Sequence, residues 1–211
     1  MSGKTKTILV GYSGHAYVIG ETAQMLGIEL AGYFEQKEKA HNPFKIQYLG
    51  SEQDVDILMA NLHYKNVSLG IGDNSIRERL FFQLSDFGYE ALTICHHDAS
   101  ISKSASVGAG TFIARGVLIN PLAAFGRGCI VNTGAIIEHE CTIGDFVHIA
   151  PGAVLAGNVS VGNNAFVGAN AVVKQGVKIG ANSIVGAGAV VLKDIPDQTT
   201  YVGNPATALK L

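Results

Sequence analysis

Two histidines in the stretch IIEHECTIGDFVHIAPG, residues 136–152, are the side chains best suited to acid–base chemistry. His139 lies between Glu138 and Glu140, and His148 follows nine residues later. An imidazole titrates near neutral pH and can act as a general base, and a neighbouring carboxylate can fix its tautomer. His139 is therefore a candidate base, although a solvent-exposed polar corner would also explain the EHE triplet.

His148 also has two interpretations, because such a histidine can bind a ligand or can be buried, hydrogen-bonded and inert. A metal site is a further alternative, but a catalytic zinc ion generally takes three protein ligands. Residues 99–211 contain only the histidines at 139 and 148. We therefore expect no metal.

The residues around both histidines follow a repeat of six. From Ile101 to Val191, sixteen positions spaced six residues apart are all apolar, and no insertion breaks the register. A smaller side chain, such as Ala135 or Cys141, stands four residues after nearly every one. This register indicates a parallel β-helix, in which each coil stacks on the one before it. By resemblance to known hexapeptide proteins, we expect the left-handed form with three hexapeptides per coil.

Glycine often comes directly after the inward aliphatic residue of a repeat. Because tight corners need glycine's tolerance of positive φ, we expect these glycines to adopt it. They are Gly108, Gly126, Gly144, Gly162, Gly168, Gly180 and Gly186.

The residues just before each inward aliphatic should form three outward columns, with members eighteen residues apart. The polar column contains Ser106, Ala124, Thr142, Ser160 and Lys178. The His148 column contains Phe112, Ile130, His148, Phe166 and Ile184, and the Val154 column contains Leu118, Ile136, Val154, Val172 and Val190. Two apolar columns should not face water, so we expect a homotrimer, or the packing of one column on the first domain. His148 would then lie at or near a subunit boundary.

Residues 1–98 alternate predicted strands with predicted helices, which implies a parallel sheet with βαβ crossovers. The helices are expected at 16–26, 52–61 and 74–88, with Ser75 capping the third. One face of that third helix should hold Ile76, Leu80, Phe81 and Leu84. The chain is thus predicted to be an α/β Rossmann-like domain with a parallel sheet (1–98), followed by a left-handed parallel β-helix (99–211).

Composition argues against several classes of function. The 211 residues are 47% hydrophobic and 15% charged, with a net charge of −2, and no basic run favours nucleic acid. No apolar stretch reaches the roughly 18 residues of a membrane span, and the start shows no secretion signal. Cys95, Cys129 and Cys141 are widely spaced, which fits a reducing cytoplasm better than a disulfide framework.

Four motifs spread over the chain carry a resemblance to a known family. They are GYSGHA, IGDNSIRERL, NTGAIIEHECTIGDFVHIAPGAVLAGNVSVG and GAGAVVLKDIPDQTTYVGNPA. The sequence resembles the bacterial sugar acetyltransferases that include UDP-4-amino-sugar N-acetyltransferases and the sialic acid O-acetyltransferase group.

The resemblance implies roles for residues of the β-helix. His139 would be the general base and Glu140 would increase its basicity. His148, Gly157 and Gly168 would bind acetyl-coenzyme A (acetyl-CoA), with the Gly157 amide holding the thioester carbonyl. The coil length places Gly157 one coil from His139 (139 + 18 = 157).

The first domain would bind the nucleotide-linked sugar. The turn VGYSGH follows a strand and opens a helix, so its amides could meet a phosphate. By resemblance, the substrate-binding residues are Gly11, Ser13, Gly14, His15, Glu35, Gln36, Gly72 and Asn74. The family often has aspartate where Glu35 and Gln36 stand, and ordinary tight turns would also explain the glycines.

The sequence therefore predicts a cytoplasmic transferase that moves acetyl from acetyl-CoA to the amino group of a nucleotide-linked amino sugar. The acceptor is expected to be a 4-amino-4,6-dideoxy sugar, and the active sites are expected at the interfaces of a homotrimer. One alternative is O-acetylation of a sugar such as sialic acid. Another is a non-catalytic trimer that binds nucleotide sugars.

Overall fold

The computed structural model describes residues 5–209 and divides into two compact units between Ile94 and Cys95. The sequence predicts this border after residue 98. The first four residues of the segment considered for a secretion signal lie outside the described range. Among the described residues, no helix is long and apolar enough to cross a membrane.

The first unit is built on a parallel sheet of five strands in the order β3-β2-β1-β4-β5. Its elements are β1 (Lys6–Val10), α1 (Gly14–Met25), β2 (Glu29–Phe34), β3 (Tyr48–Gly50), α2 (Val55–Asn61), a 3-10 helix (Leu62–Tyr64), β4 (Asn66–Leu69), α3 (Asn74–Asp86) and β5 (Glu90–Ala91). The strand order reverses between β1 and β4. In open α/β sheets, ligands bind in the crevice at the carboxyl ends of the strands near such a reversal.

The start of α3 differs from the prediction. Asp73, not Ser75, caps the helix, since its carboxylate accepts a hydrogen bond from the Ile76 amide at 2.8 Å. Leu80 and Leu84 are buried as the periodicity requires, whereas Ile76 is 44% exposed. Ile76 sits in the first turn of the helix, at the mouth of a cavity rather than in the core.

The second unit is a β-helix of short strands that pair in parallel, except for the last strand, which pairs antiparallel with the strand before it. They are β6 (Ile94–Cys95, at the border), β7 (Ser100–Ile101), β8 (Ser106–Val107), β9 (Phe112–Ile113), β10 (Leu118–Ile119), β11 (Ala124–Phe125), β12 (Ile130–Val131), β13 (Ile136–Ile137), β14 (Thr142–Ile143), β15 (His148–Ile149), β16 (Val154–Leu155), β17 (Ser160–Val161), β18 (Phe166–Val167), β19 (Val172–Val173), β20 (Lys178–Ile179), β21 (Ile184–Val185), β22 (Val190–Val191), β23 (Thr200–Val202) and β24 (Thr207–Ala208).

Parallel pairing fixes the length of a coil at eighteen residues. Leu118 pairs with Ile136, and Ile136 pairs with Val154, so each step crosses three hexapeptides. The three faces of the prism are three separate sheets, one for each predicted column. The inward aliphatic residues from Ile113 to Val191 are buried and form the core.

The prediction for the corner glycines is wrong. Positive φ falls on the third residue after the inward aliphatic, where Gly110, Gly128, Glu140 and Asn158 stand, and not on the residue directly after it. The glycines directly after the aliphatic residue serve close stacking of coils instead. A Cβ built on Gly108 would lie only 2.4 Å from the Gly126 carbonyl oxygen.

The two apolar columns differ in burial within one chain. In the His148 column, Phe112 and Ile130 are already buried, whereas Ile184 is 46% exposed. In the Val154 column, Leu118 and Val172 are each 43% exposed. The Val154 column is therefore the longer apolar surface that one chain leaves open.

Candidate active site

His139 lies in the corner between β13 and β14, and neighbouring coils hold that corner on both sides. The His139 carbonyl oxygen accepts a hydrogen bond from the Asn158 amide at 2.8 Å. The Glu140 amide donates to the Pro121 carbonyl oxygen at 3.0 Å. Since these bonds repeat along the solenoid, the backbone beneath the imidazole is fixed while its side chain stays about half exposed.

The His139 imidazole pairs with the carboxylate of the next residue. Nδ1 of His139 lies 3.0 Å from Oε2 of Glu140. When Glu140 is ionised, it can only accept, so Nδ1 carries the proton and Nε2 keeps its lone pair. Glu140 occupies the corner position with φ of +62°, a region that non-glycine residues rarely adopt. Both side chains are solvent-exposed, so the pair adds little stability and its value is in orienting the ring.

Gly157 lies directly against the His139 ring, one coil further along. A Cβ built on Gly157 would stand 2.6 Å from both Nε2 and Cε1 of His139, so only glycine leaves the ring where it is. Within the described residues, the Gly157 amide donates no backbone hydrogen bond, while its carbonyl accepts one from Gly176. The corner thus brings together a base nitrogen, a carboxylate and an amide donor.

His148 belongs to a different group of residues, on the sheet of the His148 column. Its Nε2 lies 3.4 Å from Nδ2 of Asn132, and its ring meets the edge of Phe166 with centroids 5.0 Å apart. The side chain is partly buried. His148 can therefore present an imidazole to a ligand that lies along this face.

Gly168 follows β18 and is buried against the next coil. Its amide donates to the Val185 carbonyl oxygen at 2.8 Å. A Cβ at this position would stand 2.5 Å from the Ala187 amide nitrogen. The residue thus has a packing role, and its amide is already used within the protein.

A cavity of about 240 Å³ opens in the first unit at the carboxyl ends of the strands. Five predicted substrate residues line it, namely Gly11, Ser13, Glu35, Gln36 and Gly72. The other three stand at helix starts, where Gly14 and His15 open α1 and Asn74 opens α3. The Asn74 side-chain oxygen accepts from the Arg77 guanidinium at 2.8 Å, which ties that turn to the helix.

Two charged residues of this cavity are not among those predicted from the sequence. Glu52 lines the wall although it is only 6% exposed, and the exposed Arg79 extends from α3. Glu52 follows β3, a three-residue strand whose sequence YLG gave no strand signal. Had β3 been recognised, the acidic residue after its carboxyl end would have been a candidate by the same reasoning as Glu35.

Beside these sites, His96, His97 and Asp98 each bring one ligand atom within 4.8 Å of the others. Protein groups already engage this cluster. The Asp98 amide donates to Nδ1 of His96 at 3.0 Å, and Nε of Arg115 lies 3.6 Å from the Asp98 carboxylate. A guanidinium in that position competes with a cation for the carboxylate.

Comparisons with known proteins match both parts of the chain. The family "Bacterial transferase hexapeptide (six repeats)" matches residues 158–193, and the "PglD N-terminal domain" matches residues 6–84. The UDP-N-acetylbacillosamine N-acetyltransferase of Bacillus subtilis is 39% identical over 106 residues. That alignment covers 50% of this chain and 49% of the relative, so the match spans about half the length of that curated protein.

Solved structures match over nearly the whole chain. The acetyltransferase domain of PglB from Neisseria gonorrhoeae, in complex with acetyl-CoA, is 30% identical with a TM-score of 0.90, covering 98% of this chain and 100% of that one. A histidine-to-alanine mutant of the GDP-perosamine N-acetyltransferase of Caulobacter crescentus, in complex with CoA and GDP-perosamine, is 33% identical with a TM-score of 0.91. It covers 100% of this chain and 98% of that one. These matches confirm the predicted fold class, a Rossmann-like α/β domain followed by a left-handed β-helix.

Proposed function

Since the chain belongs to the acetyl-CoA-dependent sugar N-acetyltransferases with hexapeptide repeats, we propose that it acetylates the amino group of a nucleotide-linked amino sugar. The acceptor fits a 4-amino-4,6-dideoxy sugar, as the sequence resemblance implies. The observation that carries the proposal is the His139–Glu140 pair at 3.0 Å with its ring against Gly157. The full-length structural relatives are named as acetyltransferases, one of them acting on the amine of an amino sugar, which favours an amine over a hydroxyl acceptor.

The reaction we propose is a direct attack of the amine on the thioester. The amine nitrogen bonds to the carbonyl carbon, and Nε2 of His139 takes the proton that the nitrogen loses. Glu140 holds the Nδ1 proton and stabilises the imidazolium that forms. The Gly157 amide donates to the oxygen on which negative charge develops. The C–S bond then breaks, and coenzyme A leaves as a thiolate that takes up a proton.

Cys141 stands in the β-helix corner that holds His139, but its thiol is buried and is not placed to carry the acetyl group. Cys129 and Cys141 are buried in the β-helix, where their thiols donate to the Gly144 and Ala156 carbonyl oxygens. Burial raises the pKa of the Cys141 thiol, which disfavours the thiolate that a nucleophile needs. This supports transfer in one step, without an acyl-enzyme.

We place the donor on the β-helix and the acceptor nucleotide in the cavity of the first unit. His148 supports the first assignment, since its partly buried ring stands on an apolar face. Ser13 and Gly14, at the start of α1, support the second, because amides at a helix start suit phosphate groups. The exposed Val154 column supports a homotrimer with active sites at subunit interfaces. Three free cysteines fit a cytoplasmic location.

The test is release of the coenzyme A thiol from acetyl-CoA in the presence of a panel of nucleotide-linked sugars. The panel includes 4-amino and 3-amino sugars and, for the alternative of O-acetylation, sugars that carry hydroxyl groups only. Thiol release that depends on an amino sugar, with the acetylated amide found by mass spectrometry, supports the proposal. Thiol release only with sugars that carry hydroxyl groups alone would identify the chain as an O-acetyltransferase. Tight binding of nucleotide sugars without any turnover would identify a non-catalytic binding protein.

A further inference from the structure

The Glu52 carboxylate is buried, and the described residues give one of its oxygens no hydrogen-bond donor. The residue lines the cavity of the first unit and is 6% exposed. Among the described residues, no hydrogen-bond donor reaches its Oε2. Its backbone is held, because Nε2 of Gln83 donates to the Glu52 carbonyl oxygen at 3.0 Å. A carboxylate oxygen without a donor is unfavourable in such a place, so a ligand that brings N–H groups would be stabilised there.

Glu35, the other acid of the same cavity, is already engaged by the protein. Its Oε2 accepts from the Tyr12 amide at 3.1 Å, and Nζ of Lys39 lies 3.2 Å away. Its Oε1 accepts from the Gln36 amide at 3.1 Å. Protein donors therefore already engage both oxygens of the Glu35 carboxylate. Oε2 of Glu52 has no such donor among the described residues and can accept a hydrogen bond from a ligand.

The position of Glu52 suits the base of a nucleotide rather than its phosphates. The strands lie in the order β3-β2-β1, and Glu52 follows β3, which is the edge strand of the sheet. The turn after β1 leads into Ser13 and Gly14, whose amides at the start of α1 suit phosphate. A nucleotide with its diphosphate at the β1 turn would extend its base toward the ends of β2 and β3.

Carboxylate chemistry then discriminates among the bases. An ionised carboxylate only accepts hydrogen bonds, and it binds best to two parallel N–H groups. Guanine offers two adjacent donors, the ring N1–H and the exocyclic amino group. Uracil and thymine offer one N–H between two carbonyl oxygens, which a carboxylate repels. Adenine and cytosine place an acceptor nitrogen beside their amino group.

We propose that Glu52 is the residue that selects the nucleobase, and that it favours a guanine nucleotide over a uracil or thymine nucleotide. This inference rests on the proposed function, because it names the nucleotide of that same substrate. It adds that the acceptor sugar is linked to GDP.

The experiment measures dissociation constants for GDP, inosine diphosphate (IDP) and UDP by calorimetry, using the full chain and its Glu52→Gln variant. IDP differs from GDP only by lacking the exocyclic amino group. For the unmodified chain, we expect GDP to bind roughly tenfold tighter than IDP, which is the scale of one hydrogen bond to a charged group. The ratio of the UDP and GDP dissociation constants should be larger still. In Glu52→Gln, the GDP-to-IDP ratio should fall to about one.

Glu35→Gln is the matched control, because it changes the other acid of the cavity. It should leave the GDP-to-IDP ratio near the unmodified value, whatever it does to affinity overall. Equal binding of UDP and GDP by the unmodified chain would overturn the inference, and this comparison does not depend on any variant folding. A ratio that Glu52→Gln leaves unchanged, with an unchanged melting temperature, would overturn it as well. Acetyl transfer to a UDP-linked sugar with no guanine preference would overturn this inference alone and leave the proposed function standing.

Discussion

At the scale of single residues, the site depends on which neighbour each side chain meets across a coil. His139 has Glu140 beside it in sequence and Gly157 against its ring from the next coil. The first contact sets the tautomer and the second leaves space for the ring. Neither contact contributes much to folding, since the pair is exposed and Gly157 has no side chain. Changes here should therefore alter turnover more than stability.

Gly157→Ala should lower kcat by roughly 10²-fold, because a new Cβ 2.6 Å from Nε2 must displace the His139 ring, and misplacing a catalytic group costs about that much. The backbone of Gly157 does not need positive φ, so alanine is tolerated there and the melting temperature should stay within a few degrees. Steady-state kinetics and thermal melts measure both effects.

Gln175→Ala is the control for that variant, since it stands at the same repeat position one coil beyond Gly157 (157 + 18 = 175). Its kcat should match that of the unmodified enzyme. If Gly157→Ala also kept full turnover, the contact between Gly157 and the imidazole would have no part in the reaction.

His148→Ala should act on donor binding. We expect the KM for acetyl-CoA to rise roughly tenfold, the effect of losing about 1.4 kcal/mol of contact, while kcat changes little. The reason is that His148 stands on the sheet face with Phe166, apart from the His139 corner. A fall in kcat at unchanged KM would instead place His148 in the chemical step.

The residue-level prediction succeeded where coil length decides the contact. The eighteen-residue coil alone places Gly157 above His139, and the structure shows that contact. It failed for Glu52, because recognising that acid required β3, and three residues of strand carry no periodic signal. Short strands held by their neighbours are formed by tertiary pairing rather than by local preference.

At the scale of elements, a ladder of side-chain-to-backbone bonds stabilises another corner of the β-helix. The Arg127 amide donates to Oδ1 of Asp145 at 2.7 Å, and the Asp145 amide donates to Oδ1 of Asn163 at 2.9 Å. The Arg127 guanidinium also pairs with Oδ2 of Asp145 at 2.6 Å. This arginine lowers the pKa of the Asp145 carboxyl below its ordinary value.

Asp145→Asn should make the protein less stable at neutral pH, by roughly 0.5–1 kcal/mol, since the pair is partly exposed. A lowered folded-state pKa means that the contribution is present above the ordinary carboxyl pKa of about 4. It is lost as the pH falls below that value toward the folded-state pKa. Denaturant titrations of both proteins at pH 7 and at pH 3 should show the difference shrinking in acid.

Arg127→Gln completes a double-mutant cycle, because it removes the same ion pair from the other side. Its destabilisation should not add to that of Asp145→Asn. A stability difference of the same size at pH 3 and pH 7 would show that packing, and not charge, makes Asp145 useful.

The elements of the first unit show where local rules compete. The pattern of α3 predicts Leu80 and Leu84 as core correctly, but two possible caps stand near its start. Asp73 accepts a hydrogen bond from the Ile76 amide and leaves Ser75 inside the helix.

In the β-helix, the predicted glycine corners were displaced by two residues. Stacking of coils and positive φ both select glycine, and the sequence does not separate the two reasons.

At the scale of the whole molecule, the proposed homotrimer requires an apolar surface that its subunits would share. Pattern alone finds two apolar columns, but Phe112 and Ile130 of the His148 column are already buried in one chain. The burial of individual column members follows from tertiary structure, which the repeat does not encode. The Val154 column keeps exposed apolar residues at both Leu118 and Val172, so it is the surface that a second copy has most reason to cover.

Val154→Asp should dissociate the proposed homotrimer, because a carboxylate in the middle of that column would be desolvated without a partner. Light scattering coupled to gel filtration should show the mass of one chain in place of three. Thr142→Asp, an equal change in the polar column, should leave the mass unchanged. Dissociation by both variants, or by neither, would contradict an interface on the Val154 column.

The central claim is that His139 takes the proton from the attacking amine, and single-turnover acetyl transfer tests it most directly. The enzyme is saturated with acetyl-CoA and mixed with a nucleotide-linked amino sugar, and the chemical step is followed for the unmodified chain and for His139→Ala. We predict a rate lower by roughly 10²-fold or more in the variant, with unchanged oligomer mass and melting temperature. A variant that transfers acetyl as fast as the unmodified enzyme would contradict the account.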